Sequence, residues 1–337
     1  MKLATLKHPR HRDGRLVVVS RDLRRAVAAD DIAPTLLDAI ETWSACHQAL
    51  QQRYAALNSD QAPEAFDFDP RQAAAPLPRS PQWCDGSAFL HHGRLMERAF
   101  NTPPIPEFDT VPVMYQGASD DFLGPHDAVP LPDEAHGIDF EGEFGVVLDS
   151  VPMGVTPAAA LDRIRLLVQI NDWSLRALGP REMRSGFGFL QAKPSTAFAP
   201  VAITPDELGD AWRDGRVQLR LHVDWNGQWF GHAHGGAMNF HFGELVAHAA
   251  RTRRLSAGTV IGSGTVSNAE REAGSSCIAE RRVLEMLDQG EARTGFMRFG
   301  DTVRMEARFE GTEGGADAQA PFGVIEQRVV RDGSGQA

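Results

Sequence analysis

The stretch Phe140-Glu141-Gly142-Glu143-Phe144-Gly145-Val146-Val147-Leu148 constrains this chain more than any other. Its apolar run reads as a strand, yet two carboxylates stand at its head. In an extended strand residues i and i+2 share a face, so Glu141 and Glu143 point the same way with only Gly142 between them. Two acids that close repel each other unless something positive sits beside them. Two readings are open at this point. A divalent cation would supply the charge, since hard metals prefer carboxylate oxygens. A solvated edge of an antiparallel sheet would leave both acids facing water.

At 337 residues the chain is long enough for one large domain, or for a small one joined to a larger one. Its 32 glycines and 23% charged residues fit a loop-rich, β-rich soluble protein. A formal net charge of -11 argues against a general nucleic-acid or anionic-membrane binder. It leaves room for a locally basic pocket facing an acidic substrate. Cys46, Cys84 and Cys277 show neither CxxC pairing nor metal-ligand spacing, which points to reduced thiols in a cytoplasm. Cys277 reads as a buried inert thiol rather than a nucleophile. No apolar stretch reaches about 18 residues, the length a membrane span needs. The N-terminal MKLATLKHPRHRDGRLVVV lacks the apolar core of a signal peptide, so a soluble cytoplasmic protein is expected.

Lys2–Leu6, Leu16–Ser20 and Leu23–Ala29 read as short strands, the first two separated by the turn-rich Arg12-Asp13-Gly14. From Pro34 the period changes. Leu36, Ile40, Trp43, His47, Leu50, Tyr54 and Leu57 recur at steps of four and three, one stripe of a helix. Pro34 stands near its start, where a missing N–H costs nothing. On that stripe His47 reads as a partly buried packing residue. Residues 58–80, rich in Pro, Ala and Asp, read as a linker or wrapping segment. A small N-terminal domain over 1–80 and a main domain over 81–330 are therefore expected.

In the main domain, Val111–Tyr115, Arg165–Asn171, Val217–Trp225 and Thr259–Ile261 read as strands, and Phe299-Gly300-Asp301 as a turn into another. Asn226-Gly227 is a hairpin turn. Thr156–Leu161 and Phe242–Arg253 read as helical, and Arg331–Ala337 as a frayed end. A doubly wound sheet would show regular strand–helix alternation, which is absent. The expected class is α+β, predominantly β. Gly262-Ser263-Gly264-Thr265 lacks the third glycine and downstream acid of a dinucleotide fingerprint. It reads instead as a tight turn bringing backbone N–H groups and a hydroxyl close to a ligand. His232 and His234 have a metal-like spacing but read as loop imidazoles.

Four acids on separate segments, Asp85, Glu141, Glu143 and Asp172, stand in suggestive company. Taken in order, Asp85…His92, Tyr115-Gln116-Gly117, Glu141-Gly142-Glu143, Asn171-Asp172-Trp173-Ser174-Leu175-Arg176, Lys193, Gly262-Ser263-Gly264-Thr265, Cys277-Ile278-Ala279-Glu280 and Gly300-Asp301 resemble the fumarylacetoacetate hydrolase family. The resemblance runs from about Pro81 to Gln327, and residues 1–80 resemble the family's small β domain more loosely. It implies a small N-terminal β-barrel-like domain followed by a large mixed β-sandwich or roll. It implies that Asp85, Glu141, Glu143 and Asp172 hold one divalent cation, Mg2+ or Ca2+. By the same resemblance His92 is the water-activating base and Glu280 the carboxylate that orients it. Arg176 and Lys193 would neutralise substrate oxyanions, and Ser87, Tyr115 and Thr265 would contact the substrate.

The implied reaction is hydrolysis of a carbon–carbon bond in a β-diketo acid. Its first candidate is 4-fumarylacetoacetate going to fumarate and acetoacetate in tyrosine or related aromatic catabolism, in a homodimeric enzyme. Hydrolysis of an acylpyruvate is the alternative, with decarboxylation, hydration or tautomerisation of a 2-oxo acid on the same metal site as rivals, and a non-catalytic metal-binding protein as a further one. The chain departs from the animal fumarylacetoacetases in three places. Ser87 stands for a tyrosine, Gly179 for a glutamine, and Asn101 for a basic residue. These changes bear on the grip of a distal carboxylate, for which Arg94 and Arg98 are the candidate replacements.

Overall fold

The apolar run that follows the two glutamates forms the strand Gly142–Leu148, buried along its whole length. Both its edges are paired, antiparallel to Ile164–Asn171, with Ile170 opposite Glu143, and antiparallel to Val260–Gly262. The solvated-edge reading of Glu141 and Glu143 is thereby excluded. The computed structural model describes residues 1–100, 104–310 and 320–333, with the backbone alone at Ala99 and Phe100. Asn101 and residues 334–337 of the expected frayed end lie outside the described residues, while Arg331 closes the strand Val324–Arg331.

Within the described residues the central strand belongs to an eleven-stranded sheet. Lys2–His8 joins that sheet by pairing with Ala202–Ile203, Leu3 opposite Ala202. Through it the N-terminal strands His11–Val19, Arg25–Ala28 and Phe66–Asp67 continue the same sheet outward. One face is covered by the helices Leu36–Glu41 and Trp43–Asn58, whose Leu36, Ile40, Leu50, Tyr54 and Leu57 pack with Val147, Leu166, Val168, Ile170 and Val260. Thr35 starts the first helix through a reciprocal capping box with Asp38. The expected single stripe breaks at Thr42, which ends one helix and begins the next. The break re-phases the stripe. Cys46 takes the buried place expected of His47, which is exposed and tilted against Trp43 at 5.3 Å.

Against the other face lies a five-stranded sheet in the order Gln228–His234, Arg220–Trp225, Thr302–Arg308, Val324–Arg331, Val129–Leu131. Its hairpin turns at Asn226-Gly227, both at positive φ (52° and 73°), the type I′ geometry that suits this dipeptide. Gln169, fully buried, stitches the two sheets: Nε2 donates to Met305 O at 3.1 Å and Oε1 accepts from Ala307 N at 2.8 Å. With both ends satisfied, the amide's hydrogen bonds offset the cost of burying it. Gly142 meets the second sheet so closely that a Cβ there would lie 2.8 Å from Leu221 Cδ2. The residue between the two glutamates is therefore a place where the sheets approach closely. The architecture is α+β and predominantly β, as the sequence predicts. Phe242–Ala249 is shorter than the expected helix, ending four residues before Arg253. No helix among the described residues is long and apolar enough to cross a membrane.

Candidate active site

Four carboxylates meet at the ends of the central strands. Asp85 lies in Trp83–Gly86, Glu141 immediately ahead of Gly142–Leu148, Glu143 within it, and Asp172 just past Ile164–Asn171. Strand register brings them together: Asp85 stands beside Gly262, and Asp172 N donates to Glu141 O at 3.0 Å. Asn171 fixes the approach from the other side, its Oδ1 accepting from Glu141 N at 3.0 Å. One oxygen from each of Asp85, Glu141, Glu143 and Asp172 lies within 4.8 Å of the others, and all four residues are buried.

Two cations enter this cluster. Lys193 Nζ donates to Glu141 Oε2 and to Asp172 Oδ2, each at 2.6 Å. Arg176 Nη2 lies 2.6 Å from Glu141 Oε1. Thr196 Oγ1 donates to Asp172 Oδ1 at 2.7 Å, Tyr115 Oη to Asp172 Oδ2 at 2.6 Å, and Gly264 N to Asp85 Oδ1 at 2.9 Å. Glu143 is the exception. It is fully buried, and neither carboxylate oxygen has a hydrogen-bond partner.

Burial, with Asp172 next in effect, pushes Asp85 up to about 8. Burial, reinforced by Asp85 and Asp172, holds Glu143 well above the usual carboxylate range. Burial acts on Glu141 in the same sense, but Lys193 and Arg176 outweigh it and hold it at about 2. For Lys193 burial favours the neutral amine, and Asp172 and Glu141 overcome it to keep the ammonium. With all four carboxylates ionised, the two cations leave the cluster short of positive charge, and Glu143 has lone pairs with nothing to meet them. Buried polar groups in that state are strongly unfavourable. An all-oxygen set of buried acids is what a hard divalent cation requires, so the residues present fit such an ion.

Beside the acids, His92 Nδ1 lies 2.7 Å from Glu280 Oε2. His92 sits in the helix Leu90–Phe100 and Glu280 in the first turn of Ile278–Gln289. Among the described residues the imidazole hydrogen-bonded to Glu280 is that of His92 and not of the neighbouring His91. Cys277 caps the second helix, its sulfur accepting from Glu280 N at 3.4 Å. Burial raises that thiol well above its ordinary value, which suits a cap and not a nucleophile.

Asp139 escaped the sequence reading. Its buried carboxylate accepts from Ile278 N at 2.7 Å, Ala279 N at 2.9 Å and Arg176 Nε at 2.8 Å. One side chain thus ties Arg176 to the helix end that carries Glu280, where backbone N–H groups favour an anion. Its signal was the same alternation that marked the glutamates, Asp139, Glu141, Glu143. Asp139→Asn leaves donors facing donors, and is expected to lower stability by about 2 kcal/mol, measured by urea unfolding.

A cavity of about 320 Å³ opens over this floor, lined by Asp85, Glu141, His92, Arg176, Lys193 and Thr265 among others. Ser87 also lines it, and Tyr115 does so with its hydroxyl already engaged by Asp172. The Gly262–Thr265 turn does approach closely, but its N–H serves Asp85 rather than opening to a ligand. Gly264 has φ +75°, and a Cβ there would meet Gly86 O at 2.1 Å. Gly264→Ala is expected to cost about 2 kcal/mol of stability, read as a fall in melting temperature. Arg94 is paired on the surface with Asp109 at 2.6 Å, and neither Arg94 nor Arg98 lines the cavity. Gly179 begins the short helix Gly179–Ser185 with open space around it.

His232 and His234 belong to the strand Gln228–His234, not to a loop. His232 accepts from Trp229 Nε1 at 3.2 Å and His234 from Gly236 N at 3.1 Å. Among the described residues the one group placed to hold a metal is the four-acid cluster. His222, its ring 5.9 Å from His232, is lowered from 6.5 to about 4 by burial, with Arg308 and His232 adding to it. Between those values the unfolded chain binds a proton that the folded one refuses, so this contribution to stability is lost as pH falls from 6.5 towards 4. His222→Gln is expected to flatten the fall in melting temperature over that window.

Residues 82–330 match the family model described as fumarylacetoacetate (FAA) hydrolase C-terminal, and residues 1–79 that described as fumarylacetoacetase N-terminal domain 2. The chain is 30% identical over 165 residues to the 2,4-didehydro-3-deoxy-L-rhamnonate hydrolase of Sphingomonas sp. (strain SKA58), covering 48% of this chain and 54% of that protein. It spans about half the length of the curated relatives it matches. Its fold is shared with the fumarylacetoacetate hydrolase of Exiguobacterium antarcticum at a TM-score of 0.65, 18% identity, and 98% and 99% coverage of the two chains. It is shared also with the maleylpyruvate hydrolase of Sphingobium sp. SYK-6 in complex with manganese(II) ion and pyruvate, at a TM-score of 0.63, 17% identity, and 98% and 99% coverage.

Proposed function

The chain belongs to the fumarylacetoacetate hydrolase family, and we propose that it is a divalent-metal-dependent hydrolase of β-diketo acids of the acylpyruvate type. The bond cut is that between the acyl carbon and the methylene of R–CO–CH2–CO–COO⁻. The observation that carries this reading is the His92–Glu280 pair, 2.7 Å apart, set beside a buried four-acid cluster. A structural neighbour that holds manganese(II) and pyruvate supports it, because pyruvate is the fragment an acylpyruvate would release. The more specific 4-fumarylacetoacetate has weaker support, since Ser87 and Gly179 replace contacts to its distal carboxylate. We also propose that residues 1–80 and 81–330 are the two domains, with which the two family matches agree.

Asp85, Glu141, Glu143 and Asp172 would hold the ion, which when bound supplies Lewis-acid charge to the substrate's oxygens. The chain's own residues do the rest. Glu280 accepts from His92 Nδ1–H, fixing the tautomer with Nε2 as base and stabilising the imidazolium that forms. His92 Nε2 takes a proton from water, and the water oxygen adds to the acyl carbonyl carbon. Lys193 and Arg176 offset the negative charge that develops on the substrate. The carbon–carbon bond then breaks, its electron pair leaving as the enolate of the 2-oxo acid. The proton held on His92 returns to that carbon, giving a carboxylic acid and pyruvate. An ordinary alkyl carbanion is too poor a leaving group, which is why a β-diketone is required. Pyruvate release from acetylpyruvate with Mn2+ or Mg2+, abolished by chelation, is the expected result. Carbon dioxide release, or cleavage indifferent to chelator, would overturn it.

A further inference from the structure

The lining of the cavity is of two chemical kinds. Asp85 and Glu141 line its floor together with Arg176 and Lys193. Much of the remaining lining is apolar, with Met96, Ile105, Phe108, Val113, Met114 and Phe189. These come from separate segments: the helix Leu90–Phe100, the stretch that follows it, the approach to Met114–Gly117, and the turn where Phe189 stands edge-on to Tyr115 at 5.2 Å. The charge in this part of the lining is negative. Glu97 faces the cavity, its Oε1 accepting from Ile105 N at 3.2 Å.

Among the described residues Arg176 and Lys193 are the basic side chains that line the cavity, and both are held at the floor. Arg176 lies on Asp139 and Glu141, and Lys193 on Glu141 and Asp172. A substrate's 2-oxo acid end can meet that floor. A second carboxylate at the far end would meet methyl, thioether and phenyl groups and the carboxylate of Glu97. It would be desolvated without a partner and repelled, a heavily penalised state. A hydrocarbon chain would bury apolar surface there instead, and methionines adapt to its shape.

We propose that the distal subsite takes an uncharged hydrocarbon acyl group and rejects dicarboxylates. This rests on the acylpyruvate reading and narrows it: the substrate class is alkyl- or aryl-acylpyruvates. Ile105, Phe108 and Glu97 are the residues that set the preference.

The test compares kcat/KM of the Mn2+-loaded enzyme on acetyl-, butanoyl- and hexanoylpyruvate, and on 4-methylpentanoylpyruvate against succinylpyruvate, which carries a carboxylate where the former has an isopropyl group. A rise of about fourfold per added methylene is expected. The isopropyl compound is expected to exceed succinylpyruvate by about a hundredfold or more. Calorimetry gives a readout independent of turnover: 2-oxooctanoate should bind at least about tenfold more tightly than 2-oxooctanedioate. Ile105→Arg, at a position 42% exposed on the rim and so able to accept the change, should shift the succinyl-to-isopropyl ratio towards succinylpyruvate by about tenfold. Equal or better turnover of succinylpyruvate, with acetylpyruvate still cleaved, would overturn the subsite and leave the hydrolase reading standing. Failure to cleave every acylpyruvate would overturn both.

Discussion

Replacing His92 with alanine is expected to lower kcat on an acylpyruvate by about a thousandfold while leaving Mn2+ affinity nearly unchanged. A positioned general base contributes about 10²–10⁴ in rate, and here the imidazole of His92 lines the cavity with its Nδ1 2.7 Å from the buried carboxylate of Glu280. His92 is not among the four acids, so its loss leaves their oxygens in place. Glu280→Gln should be milder, about tenfold to a hundredfold, because the imidazole remains but loses the anion that stabilises its charged form. Rate and calorimetric affinity, measured on the same preparations, separate this from a collapse of the site. Parallel loss of Mn2+ binding in His92→Ala would show that the histidine holds the ion or the fold, not a proton.

Glu143→Gln is expected to do the reverse. Second-sphere changes already weaken metal binding by about 10–100-fold, so removing an oxygen donor should cost a hundredfold or more. Activity at limiting metal falls with it. Burial, reinforced by Asp85 and Asp172, keeps Glu143 well above its ordinary value and so favours its neutral form in the metal-free protein. Glutamine imitates that neutral form in shape and charge. The metal-free fold should therefore melt at about the same temperature with either residue, and only the stabilisation by added Mn2+ should disappear. For wild type that stabilisation is about 2.7 kcal/mol at a metal concentration a hundred times the dissociation constant. A variant still stabilised by Mn2+ to the same degree would remove Glu143 from the ligand set.

The parts of this site legible in the sequence are those that strand geometry writes down. Glu141 and Glu143 share a face because the strand period is two, and the apolar residues behind them say which strand is central. Asp85, Asp172, His92 and Glu280 could be named from ordered motifs, and the structure brings them to the same place as the glutamates. Asp139 followed the same alternation yet was passed over, because its partners are backbone N–H groups of a helix 139 positions away. Thr196 was invisible for a similar reason, and Asn171 was read as the head of a motif without a role of its own. Each acts through one hydrogen bond to a neighbour, and a hydroxyl or amide in the sequence carries no mark of that.

Elsewhere the sequence misled by being read too locally. The helical stripe through His47 was continuous on paper, but Thr42 interrupts the helix and shifts the buried face to Cys46. The glycines around His232 and His234 suggested a loop, whereas cross-strand pairing with Arg220–Trp225 makes that segment a strand. Lys2–His8 pairs with residues some two hundred positions on, a contact that no periodicity announces. The apolar lining of the cavity was likewise unreadable. It is assembled from six residues on four segments, each unremarkable where it stands.

The most direct measurement is the fate of solvent oxygen. The Mn2+-loaded enzyme is given acetylpyruvate in water enriched in oxygen-18, and the released acetate is analysed by mass spectrometry. Attack of water activated by His92 on the acyl carbonyl should place solvent oxygen in the acetate carboxylate, at a rate that falls about a thousandfold in His92→Ala. Decarboxylation of the substrate with no acetate formed, or labelled acetate appearing equally fast without His92, would contradict hydrolysis by this site.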